Sequence, residues 1–169
     1  MSESGGNANV YEALPQARPE AVVVYCGDPR LQTAFELFIE KELGLRKGQF
    51  IPLVVGGGAG VLANPERLPK EFKFMKDRFE LIHRHFPSVK RAVLINHEDC
   101  VYYRTLAEKI PGFRTDQASE LRHRPGADMD RIAAVFNRRL SHFGLKAELY
   151  YGKFADADHS KMAFDRVLV

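Results

Sequence analysis

The chain alternates short apolar runs with stretches whose apolar residues recur every three or four positions. Ala21–Cys26 (AVVVYC) is a β-branched run that stops at Gly27-Asp28-Pro29, the pattern of a strand buried on both faces. Pro29 suits the first turn of a following helix, where its missing N–H is harmless. Leu31, Ala34, Phe35, Phe38, Ile39 and Leu43 then mark one helical face as far as Gly44, a plausible stop. Phe50–Val55 predicts a second strand that runs into the glycine cluster Gly56–Gly60 (GGGAG). Phe72, Met75, Phe79, Ile82 and Phe86 predict a helix closed by Pro87, with Phe72, Phe79 and Phe86 expected in the core or at a subunit interface. Arg91–His97 (RAVLINH) reads as the third strand, followed by a helix from near Asp99 or Cys100 to about Ile110. Residues 113–124 are polar and carry no clear period. Met129, Ile132, Ala133, Phe136, Leu140 and Phe143 give the clearest helix, with Asp128 as its expected cap and Gly144 as its end. Leu145–Phe154 alternates inward and outward residues, which suits a strand at a sheet edge.

Strands alternating with helices predict an α/β fold, a mainly parallel central sheet flanked by helices, with an edge strand near the C-terminus. In such sheets ligands gather beyond the carboxyl ends of the strands. Cys26, the Gly56–Gly60 cluster and the segment His97–Cys100 fall at those ends, so three separate segments are aimed at one edge. A length of 169 residues fits one domain that needs no disulfide staples, here expected over 21–169 behind a flexible leader, 1–20.

Charge narrows the field little. The net charge is +3 and the basic residues are scattered among acids, so nucleic-acid and membrane binding gain no support. The first twenty residues lack both a basic start and an apolar run, which argues against a signal peptide or membrane anchor and for a cytoplasmic protein. The chain has two cysteines. In a reducing compartment such thiols are more often inert, catalytic or metal-bound than disulfide-bonded.

Zinc favours thiolate and imidazole ligands, and a catalytic site supplies three of them while leaving a fourth position open. Cys26 from one strand end, with His97 and Cys100 from another, offers such a set. A spacing of three lets a strand-to-helix turn present His97 and Cys100 to one ion. At a helix start Cys100 would gain from the dipole, which favours the thiolate. An isolated H-x-x-C arises easily by chance, and the competing reading is a pair of ordinary buried cysteines.

Cys26-Gly27-Asp28-Pro29-Arg30 resembles the C-x-D-x-R motif of β-class carbonic anhydrases, and His97-Glu98-Asp99-Cys100 resembles their H-x-x-C motif, including the Asp that often precedes its cysteine. Val54–Gly60 (VVGGGAG) is similar to a reduced form of the family's V-V-R-N-A-G segment, and Leu145–Phe154 to its last strand. The likeness runs from about Ala21 to Phe154. It implies that Cys26, His97 and Cys100 bind zinc and that Asp28 and Arg30 form a carboxylate–guanidinium dyad. Asp28 could close the fourth zinc position or, if held bidentately by Arg30, leave it to water. The activity implied is interconversion of carbon dioxide and bicarbonate through a zinc-bound hydroxide, in a homodimer or higher homo-oligomer.

Three departures from the family bear on that expectation. Glycines, Gly57 and Gly58, stand where Arg and Asn are usual; Val101 replaces the glycine after the second cysteine; and no amide side chain for the substrate pocket is identifiable. They leave open a non-catalytic zinc-binding relative, or one acting on another small linear substrate such as carbon disulfide. A dithiol redox protein using Cys26 and Cys100 ranks last, because no C-x-x-C is present. The glycine cluster misses the dinucleotide-binding pattern, since Val61 occupies the last required glycine position. Close backbone packing near the metal is its expected use. His83 and His85, on a helix rich in Lys, Arg and Phe, read as solvated ahead of a proton-shuttle or secondary metal role, and His123, His142 and His159 lack ligand-spaced partners and read as surface residues.

Overall fold

A computed structural model describes residues 10–109 and 118–168. Four parallel strands and one antiparallel strand form a single sheet. Strand β1 (Ala21–Cys26) lies between β2 (Phe50–Val55) and β3 (Arg91–His97), with β4 (Lys146–Phe154) beside β3 and β5 (Met162–Val167) on the outer edge. The α/β expectation, with its mainly parallel sheet, holds, and a strand near the C-terminus does take an edge, although it is β5 and not the Leu145–Phe154 segment.

The first three strands have the bounds read from their apolar runs. Complete burial of β1 explains why its run is unbroken: Val22 and Val24 pack into one layer, Ala21 and Val23 into the other. One layer contains α2 (Pro69–His85) and α5 (Met129–Arg139), through Phe72, Phe79, Ile132 and Phe136. The opposite layer contains α1 (Gln32–Lys41) and α3 (Val101–Lys109), through Phe35, Ile39, Tyr103 and Leu106. Phe86, the last of the α2 aromatic stripe, is exposed rather than core. No helix among the described residues is long and apolar enough to cross a membrane.

Several local expectations change. Leu145–Phe154 contains an interior strand, because β5 pairs along its far side and takes the edge. Pro29 lies in the turn before α1 and not in the helix, whose N-cap is Leu31. Asp128 makes no capping bond; it is buried between α5 and α4 (Ala118–Ala127), a helix that the weak period of residues 113–124 conceals. The expected helix end at Ile110 and residues 1–9 of the leader lie outside the described residues, as do 111–117.

Candidate metal centre

Parallel pairing brings the carboxyl ends of β1 and β3 side by side, and each ends on a prospective ligand. Cys26 is the last residue of β1 and His97 the last of β3. Cys100 immediately precedes α3. Although Cys26 and Cys100 are separated by 74 positions, their sulfurs stand 3.8 Å apart. One ligand atom from each of Cys26, His97 and Cys100 lies within 4.8 Å of the others, and all three residues are buried. The structure thus brings the sequence-derived ligand set together.

The turn joining His97 to Cys100 depends on Asp99, which has φ 54°, a left-handed conformation that Asp tolerates better than most residues. This turn also fixes the imidazole. His97 Nδ1 lies 2.8 Å from the Glu98 carbonyl oxygen, to which it donates, so the lone pair falls on Nε2. His97 Nε2 is buried without any hydrogen-bond partner. A buried imidazole acceptor without a donor is unfavourable, and a cation between it and two sulfurs would satisfy it.

The thiols point the same way. A hydrogen bond from Cys100, with lesser help from the Gly57 amide, holds the Cys26 thiol well below its ordinary range against the effect of burial. The Cys100 thiol is pushed up by that same neighbour and by burial. The Tyr102 and Tyr103 amides at the start of α3 act in the thiolate-favouring direction expected of a helix start, but they are outweighed. Two adjacent thiolates repel each other in a buried site, so both ionise only with a cation between them. The donor set fits zinc.

Asp28 and Arg30 meet beside this cluster. Arg30 Nη2 stands 2.7 Å from Asp28 Oδ2, and Arg30 Nε stands 3.1 Å from Oδ1 and 3.2 Å from Oδ2. The Arg30 backbone N–H also donates to Oδ1 at 3.0 Å. The Arg30 side chain holds the Asp28 carboxyl below the usual carboxylate range, burial opposing. The far side of the guanidinium is anchored by Asp99, through its carboxylate at 3.3 Å and its carbonyl at 3.2 Å. Asp99 in turn pairs with Arg104. Arg104, Asp99, Arg30 and Asp28 therefore form one chain of alternating charge along the site. Its Asp99–Arg30 link spans 69 positions, so spacing gave no sign of it.

Glu98 is another residue that sequence reading missed. Its buried carboxylate accepts the Phe154 backbone N–H at the end of β4 and faces Arg122 at 3.3 Å. It thereby ties down the segment whose carbonyl orients His97. An acid next to a candidate ligand is the signal the sequence carries, and nothing local distinguishes a buried acid from a solvated one. His123 and His159 are exposed, as expected.

The glycine cluster packs close to the site. A Cβ on Gly58 would stand 2.7 Å from the Ile95 carbonyl oxygen and 3.0 Å from the Cys26 nitrogen, and one on Gly57 would collide with the Tyr102 ring. A cavity of about 450 Å³ opens in front of the cluster, lined by Cys26, Asp28, Arg30, Gly56, Val101 and Tyr102 among others.

No protein-family model matches the sequence, and no curated protein matches it. Solved structures do. The β-carbonic anhydrase isoform I of Trichomonas vaginalis matches with a TM-score of 0.52 at 13% identity, over 92% of this chain and 87% of that one. A carbonic anhydrase from Glaciozyma antarctica matches with a TM-score of 0.48 at 15% identity, over 90% and 84% of the two chains. A tetrameric β-carbonic anhydrase of Sordaria macrospora gives 0.43 at 17% identity, over 89% and 83%. At such identities the likeness is one of architecture, and the Trichomonas vaginalis structure carries it: the chain has the fold of the β-carbonic anhydrases.

Proposed function

We infer that this protein is a zinc-dependent lyase that interconverts carbon dioxide and bicarbonate, with Cys26, His97 and Cys100 as ligands and the Asp28–Arg30 dyad beside them. The observation that carries the reading is the buried, unpartnered His97 Nε2 grouped with two sulfurs next to an arginine-held carboxylate. Zinc bound there would lower the pKa of a water to about 7 and supply a nucleophile at neutral pH. In the hydration direction carbon dioxide gains the elements of water and one proton leaves.

The protein's own part is orientation. Arg30 engages both oxygens of Asp28 and so keeps the carboxylate from turning onto the metal. Asp28, kept ionised, can accept a hydrogen bond from the nucleophile and aim it into the cavity. Asp99 and Arg104 keep Arg30 from following a departing Asp28. A homodimer or higher homo-oligomer is supported by exposed apolar side chains around the active edge, Val54 at 46%, Phe74 at 47% and Val101 at 53%. Light scattering should give a mass at least twice that of one chain.

A second reading, zinc binding without hydration, is favoured by Gly57 and Gly58, which stand where the resemblance to the family leads one to expect Arg and Asn and supply no polar side chain near the site. Metal analysis followed by stopped-flow hydration separates the two. The expected result is about one zinc per chain with measurable turnover. Zinc without turnover selects the second reading, and absence of zinc from protein purified without chelator refutes both.

A further inference from the structure

The cavity in front of the cluster shares a wall with a second one. The metal cavity has about 450 Å³, and its neighbour, about 340 Å³, is lined by Val55, Val61, Phe74 and Met75 with Lys70 and Glu71. Gly56 and Tyr102 line both. Glycine has no side chain, so the partition is the Tyr102 ring. That ring is pressed onto backbone: a Cβ on Gly57 would stand 2.3 Å from its Cδ1, 2.7 Å from Cε1 and 2.8 Å from Cγ, and one on Gly56 would stand 3.7 Å from Cδ2. The glycine at 57 is therefore what admits an aromatic ring at this position, whereas a Cβ at 56 would make ordinary contact. The Tyr102 hydroxyl is buried and makes no hydrogen bond, so packing alone holds the ring in place.

We propose that Tyr102 is the specificity-determining residue of the metal cavity, its ring barring bound molecules from the apolar side pocket of Val55, Val61, Phe74 and Met75. The site then selects small unsubstituted molecules over those that carry an apolar arm. The proposal rests on the metal-site reading above, since it supposes that molecules bind at the Cys26–His97–Cys100 cluster.

Cobalt(II)-loaded protein provides a test that does not use turnover. Straight-chain carboxylates from formate to hexanoate are titrated in, and binding is read from the visible spectrum of the metal. In the wild type, affinity should not increase beyond acetate. In Tyr102→Ala the added methylenes gain the side pocket, and affinity should rise about four-fold for each one buried. Tyr102→Phe should behave as wild type, because the ring and not the hydroxyl forms the wall. Tyr102→Leu, which keeps part of the bulk, serves if Tyr102→Ala does not fold. Equal chain-length profiles in wild type and the truncated variant would overturn the proposal while leaving the metal site standing. A wild-type protein that takes up cobalt without thiolate-to-metal absorption would overturn the metal reading itself, and the proposal with it.

Discussion

Gly57 is the residue at which one added methyl group should matter most. Its backbone has φ 88° and ψ −4°, in the left-handed half of the map that side chains rarely enter. Placing alanine there costs about 1–2 kcal/mol in backbone strain. The new Cβ would also stand 2.8 Å from the Tyr102 Cγ, the root of the ring, so rotation of the ring cannot relieve the clash. Overpacking of this kind costs about 1–3 kcal/mol. Gly57→Ala should therefore destabilise the protein by about 2–5 kcal/mol, a large share of the 5–15 kcal/mol typical of a domain. Urea unfolding followed by circular dichroism, at fixed free zinc, should show a midpoint lowered by about 1–2 M. A double-mutant cycle with Tyr102→Ala separates the two contributions: the clash disappears with the ring and the strain remains, leaving a coupling of about 1–3 kcal/mol. A Gly57→Ala protein within about 0.5 kcal/mol of wild type, or a coupling near zero, would refute the wedging of Tyr102 over this glycine.

Cys26→Ser should lose its zinc and unfold at lower temperature, because metal that binds only the folded state adds its binding free energy to stability; stoichiometric zinc in this variant would remove Cys26 from the ligand set. Arg30→Ala should keep its zinc but lose hydration activity, since Asp28, freed from its two-pronged partner, can turn onto the metal; a structure of the variant with Asp28 unmoved and full activity would show that the dyad does not gate the site. Asp128, inside the protein, has its carboxyl pushed up by burial, with Arg124 opposing. The folded state therefore holds a proton that the unfolded state releases near pH 4, so the stabilisation is complete below that pH and is lost as pH rises through the folded value. The difference in unfolding free energy between wild type and Asp128→Asn should accordingly decline as pH rises above about 4, and a difference that grows with rising pH would reverse the assignment.

Much of this was legible along the chain. The apolar runs of β1 and β3 are unbroken because both strands are buried on both faces, and the first residues that break them, Gly27 and Asn96, fall within one residue of the strand ends. The sequence alone therefore places Cys26 and His97 at the same edge. The spacing from His97 to Cys100 is a local property, and a single left-handed residue, Asp99, suffices to turn it into a shared site. Strand pairing left no such trace. The half-exposed alternation of β4 looks like an edge because its faces are incompletely covered, while the true edge, β5, follows a polar turn and pairs through contacts that no local period encodes. Approach between distant segments decided the remainder: the 3.8 Å between sulfurs 74 positions apart, the Asp99 anchor on Arg30, the Glu98 carboxylate beneath the end of β4, and the Tyr102 ring over Gly57. A sequence fixes which residues are polar, apolar or bare, and thus where strands end and turns fit. Which of those residues touch depends on how the layers pack, and packing is set by the whole chain at once.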